Sequence, residues 1–71
     1  MRKPIPAYLR NFVNQAWHII APGVYAVQKG GRDVALVWEE SNSRFAFEAG
    51  GKSASGFGSV SAAMIAAENN L

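Results

Sequence analysis

The sequence predicts a small α+β domain: one two-layer unit in the order α-β-β-β-α, a three-stranded antiparallel meander packed against two helices. Three observations carry this. Apolar residues recur at helical spacing before Pro22 and again after Ser59. Between those stretches the apolar period changes to two. The links between the alternating runs are too short for parallel crossovers, so the strands must run antiparallel. With 71 residues the chain holds one domain, 1–71, in which residues 1–5 read as a flexible basic tail.

The first helix is expected from Pro6 to Ile20 or Ala21. Pro6 suits a first turn, where its missing N–H is not needed. Leu9, Phe12, Val13, Ala16, Trp17 and Ile20 form one stripe at the 3.6-residue period. Arg10, Asn11, Asn14 and His18 fall on the other face, and Pro22-Gly23 ends the element. Three strands follow, VYAVQK, VALVWEE and RFAFEA, separated by GGRD and Ser41-Asn42-Ser43. Gly-Gly between two β-forming runs is a hairpin signal, and Asn and Ser tolerate turn geometry. Tyr25, Val27, Val34, Leu36, Trp38, Phe45 and Phe47 are expected on the face that packs against the helices. Val24, Ala26, Gln28, Ala35, Val37, Glu39, Arg44, Ala46 and Glu48 are expected on the other, subject to a register that the turns decide. The last helix starts at the N-cap Ser59, and Val60, Ala63, Met64, Ala67 and Leu71 form its apolar stripe.

Composition narrows the chemistry. There is no cysteine, which removes disulfides and thiolate metal ligands, and the single histidine, His18, makes no metal site alone. No apolar run reaches the roughly 18 residues of a membrane span, and the N-terminus lacks a signal-peptide core, so the expected location is cytoplasmic. The net charge is +2, unevenly distributed. Arg2, Lys3, Arg10, Lys29 and Arg32 precede the first acid, whereas Asp33, Glu39, Glu40, Glu48 and Glu68 outnumber Arg44 and Lys52 after it. A basic half suggests a surface for an anionic partner.

The stretch GGKSASGFGS tests for a phosphate loop and fails. The G-x-x-x-x-G-K-[ST] pattern requires glycine where Ala46 stands, and it places its lysine at a helix start, whereas several residues separate Lys52 from Ser59. What survives is an anion at the start of the last helix, assisted by Lys52, against a structural reading in which Gly56 and Gly58 let Phe57 plug the core. His18 has no carboxylate at helical spacing to orient it as a general base. Glu39, Glu40 and Glu48 lack the cleft that a pair of catalytic carboxylates needs. Trp17 and Tyr8, on opposite edges of the first stripe, are candidate binding anchors.

Three strands followed by an alanine-rich helix with a phenylalanine just before it, GFGSVSAAMIAA, resembles the AP2 and integrase-arm DNA-binding domains over Gly23 to Asn69. Those domains read the major groove with Arg and Trp on the exposed sheet face. Here that face is expected to offer Ala26, Ala35, Val37 and Ala46, and the loop after the third strand is longer, so the resemblance extends to topology and not to family membership.

The resulting expectation is a non-enzymatic accessory, regulatory or inhibitor-type protein, of the kind found in mobile elements. It would have no cofactor, metal or catalytic residues, and would act by binding a macromolecule, first of all another protein. DNA binding through the basic N-terminal region is the alternative, and a small ligand or anion at the glycine-rich loop is the distant one. Self-association into a homodimer is compatible with the small core. The candidate contact residues are Arg2, Lys3, Tyr8, Arg10, Asn14, Trp17, His18, Lys29, Arg32 and Lys52.

Overall fold

A computed structural model describes residues 3–71. Its elements are β1 (Lys3–Pro4), α1 (Ala7–Arg10), β2 (Trp17–Ala21), β3 (Val24–Lys29), β4 (Arg32–Ser41), β5 (Arg44–Ala49), β6 (Lys52–Phe57) and α2 (Val60–Glu68). The six strands form one antiparallel sheet in sequence order, β1-β2-β3-β4-β5-β6. This corrects the expected α-β-β-β-α domain: the protein is 51% strand, a six-stranded sheet with two short helices. Of the tail expected at residues 1–5, Met1 and Arg2 lie outside the described residues, Lys3 and Pro4 pair with β2, and Ile5 is buried.

The long first helix gives way to a single turn, α1, followed after an irregular segment by β2. The stripe that suggested a helix contained a strand inside it. WHIIA holds two β-branched residues, which are stiff and favour pleated geometry. Pro22-Gly23 then closes a two-residue hairpin, Ala21↔Val24, with Gly23 at φ +74°. Pairing with β1 and β3 gives the backbone of β2 partners on both sides, and Asn11 and Asn14, residues that compete for turn geometry, weaken the helical alternative.

The third unexpected strand, after β1 and β2, is β6. Gly50-Gly51 is a two-residue turn with both residues at positive φ, the same device as Gly30-Gly31, and it folds Lys52–Phe57 back along β5 through Ala49↔Lys52. Ser, Ala and Gly are weak strand formers, so β6 exists because of the turn before it and the pairing beside it. Gly50 is also where the end of α2 lands: a Cβ there would collide with the Asn70 carbonyl.

Register corrects the assignment of sheet faces. The Gly30-Gly31 turn pairs Lys29 with Arg32 and Gln28 with Asp33, but Val27 then pairs with Ala35, leaving Val34 as a bulged extra residue. That single residue exchanges the two faces of β4 relative to the neighbouring strands. Ala35 and Val37 consequently lie beside Val27, Tyr25, Phe47 and Ala49 on the face that α2 covers, whereas Leu36 and Trp38 lie beside Ala26, Val24 and Ala46 on the uncovered face. Small residues under α2 let its own Ala63 and Ala67 approach the sheet closely. Trp38 would not fit there.

The core joins Ile5, Leu9, Trp17, Val27, Ala35, Val37, Phe47 and Ala49 with Ala63, Met64 and Ala67 of α2. The α2 start is as expected: the Ser59 hydroxyl accepts the Ala62 N–H at 3.2 Å. Phe57 packs against this core with its ring 5.7 Å from that of Phe47.

Candidate partner-binding surface

The sheet distributes the described contact residues over two places. Arg2 lies outside the described residues. Lys3, Tyr8, Arg10, Asn14, Trp17 and His18 belong to the N-terminal edge formed by β1, α1 and β2. Lys29, Arg32 and Lys52 sit at the end of the sheet formed by the two Gly-Gly turns, which point the same way in a meander.

On the N-terminal edge the largest exposed apolar side chains are Tyr8, at 64%, and Phe12, at 57%, one helical turn further on. Ile20, bulged out of β2 between the pairs Ile19↔Tyr25 and Ala21↔Val24, adds a third. Lys3, Ile19, Ile20 and Tyr25 line one shallow hollow. Tyr25 connects this hollow to Tyr8: its hydroxyl pKa lies above the usual 10.0, chiefly because burial disfavours the phenolate, with further contributions from Tyr8 and Glu39 nearby. Arg10 and His18 line a second hollow with Val13 and Ala16. All fixed charges that β1, α1, β2 and β3 contribute are basic: Lys3, Arg10 and Lys29.

Trp17 departs from its expected role. It is 3% exposed, and its indole N–H donates to Glu68 at 2.9 Å, so it serves the core and not the surface. His18 stands on β2 and not on a polar helix face, half-buried on the uncovered side of the sheet opposite Ala26. Lys52 is separated from the α2 start by the length of β6, about 17 Å of strand. It lies instead at the α2 C-terminal end, where Gly50 meets Asn70. The anion site that would combine Lys52 with the helix start is thereby ruled out by topology.

The uncovered face holds what sequence reasoning placed in the core. Trp38 lies between Val24 and Ala46, and Leu36 between Ala26 and Glu48. Ala26 and Ala46 are buried although no helix covers them, and the larger side chains of their cross-strand neighbours, Leu36 and Trp38, account for this. The signal that would have found this face is the two-residue turn combined with the bulge, and the bulge is not visible in the sequence.

Among the described residues no three His, Asp or Glu side chains are grouped to hold a metal ion, and no helix is long and apolar enough to cross a membrane. No protein-family model, curated protein or solved structure matches the chain.

Proposed function

We propose that this chain is a non-enzymatic accessory or regulatory module, of the inhibitor type, that acts by binding another protein through the N-terminal edge. The observation that supports the reading best is the pair Tyr8 and Phe12. Two aromatic side chains left more than half exposed one turn apart contribute little to the fold, and rings of this kind dominate binding energy once a partner desolvates them. Ile20 extends the apolar area, and Lys3 and Arg10 supply a basic rim that would complement acidic groups on a partner.

The test compares wild-type protein with a Tyr8→Ala/Phe12→Ala variant. Both are immobilised, exposed to lysate of cells that produce the chain, and the best captured protein is re-measured with purified components. Loss of two central aromatic anchors should weaken Kd by about 30-fold or more, with circular dichroism unchanged because neither ring is buried. Equal affinity of the two proteins, or the absence of any reproducible partner, would overturn the reading.

A second reading, DNA binding, is favoured by one observation: the two Gly-Gly turns gather Lys29, Arg32 and Lys52 at one end of the sheet. Asp33 and Glu48 share that end and dilute its charge. Binding of a generic duplex with affinity falling steeply as salt rises, and lost on charge reversal at these three positions, would replace the first reading with this one.

A further inference from the structure

Glu68 ends α2, and its carboxylate gathers three donors from the other end of the chain. The Asn14 main-chain N–H lies 3.1 Å from Oε1 and 2.9 Å from Oε2, the Gln15 N–H 2.7 Å from Oε2, and the Trp17 Nε1–H 2.9 Å from Oε2. Successive amides converging on one anion form a nest, here completed by an indole. Hydrogen bonds to a charged acceptor are the stronger kind. The nest lies in the segment between α1 and β2, the stretch with no regular structure of its own.

The chain upstream of β2 is otherwise lightly attached. Among the described residues, β1 pairs with β2 only through Lys3↔Ile19 and Pro4↔His18. Pro4 has no N–H to give the ladder. α1 is four residues long, and of the side chains in residues 3–16 only Ile5 and Leu9 are buried. The rest of the core comes from β2 to β5 and α2, whose strands pair along nearly their whole length.

We propose that residues 3–16 form a strap that opens as a unit while β3 to β6 and α2 stay folded, and that Glu68 is its latch. Segments with few buried contacts open at lower free energy than the core they cover. The strap carries Tyr8 and Phe12, so the closed latch also fixes where these rings are presented, although the opening itself does not depend on their binding anything.

The chain lacks cysteine, which makes a thiol a clean reporter. Leu9→Cys places one under the strap and Val37→Cys places one at the centre of β4, both at sites that are buried when the protein is closed. Labelling with a thiol reagent under native conditions should proceed at least about tenfold faster at the Leu9→Cys site, with a weaker dependence on urea because less surface is exposed in opening. Adding Glu68→Ala should raise the Leu9→Cys rate by about tenfold or more. Trp17→Phe, which removes the indole N–H donor and keeps an aromatic ring, should raise it by a few-fold and serves if Glu68→Ala does not fold. Equal rates and equal urea slopes at the two sites would show that the strap opens only with the whole molecule. A Leu9→Cys rate that neither substitution changes would show that Glu68 is not the latch. Either result overturns the proposal.

Discussion

Replacing Gly50 with alanine tests the packing of α2 against the β5–β6 turn, and Gly51 is its built-in control. Both glycines have positive φ, +59° and +82°. Either alanine must therefore accept left-handed geometry, at a cost of about 1–2 kcal/mol. At Gly51 nothing lies within 4 Å of an added Cβ, so that is the whole effect. At Gly50 the Cβ runs into the Asn70 carbonyl, a main-chain atom that cannot rotate away. Relief requires the end of α2 to move. That disturbs the Asn70 N–H bond to Ala67, the Asn70 Nδ2 bond to Ala66 and the Leu71 N–H bond to Glu68, at 3.0, 2.9 and 3.2 Å, each worth about 1 kcal/mol. Gly50→Ala should thus cost about 3–5 kcal/mol and Gly51→Ala about 1–2. Since 1 kcal/mol is roughly 4–8 °C in a domain of this size, thermal melts followed by far-UV circular dichroism separate the two easily. Equal melting temperatures for the two variants would refute the placement of α2 on this turn.

Three further outcomes rest on the register, on the buried Trp17 and on the tyrosine beside the N-terminal edge. Trp38→Ala uncovers Ala26 and Ala46 on the side without a helix and should cost about 1–3 kcal/mol in urea denaturation, less than truncation of a fully buried tryptophan. The companion Trp38→Phe leaves Trp17 as the only indole, whose emission should be blue-shifted as befits a buried ring; emission typical of water would contradict its place in the core. Tyr25 has a folded pKa above its unfolded value of 10.0. Its contribution to stability is therefore fully present below pH 10 and lost as pH rises through the folded pKa. Melting temperature should fall above pH 10, and Tyr25→Phe should flatten that part of the profile; an unaltered slope would remove Tyr25 as its source.

Much of the chain was readable residue by residue. Ser59 caps α2, Ala63, Met64 and Ala67 face the sheet, and VYAVQK, VALVWEE and RFAFEA lie within three neighbouring strands. The errors have one source, which is that short elements do not announce their own type. Trp17 and Ile20 fit a helical stripe and Trp17 and Ile19 fit a strand face equally well over so few residues, and only the partner strand across Pro22-Gly23 chooses between them. KSASGF carries no strand signal beyond the Gly-Gly before it. The same holds for the surface. The sequence places Phe12 in the buried stripe and Trp17 at its edge, and the structure reverses their exposure; Tyr8, outside the stripe, is exposed. Nothing in the sequence marks the role of Glu68, because its donors lie more than fifty residues away.

What the sequence by itself determined is local. Turn positions follow from glycine's freedom at positive φ, the α2 start from a hydroxyl that caps free amides, and the exclusion of thiolate chemistry from composition. What only the tertiary structure decided is which face each strand presents and what meets across the chain. One bulged residue, Val34, exchanges Leu36 and Trp38 for Ala35 and Val37 beneath α2, because side chains alternate with a period of two and a shift of one inverts them all. The Glu68 latch and the Gly50–Asn70 contact belong to the same category. Each joins residues that no local rule connects, and each exists only because α2 folds back from β6 over the sheet, bringing Glu68 to Asn14 and Asn70 to Gly50.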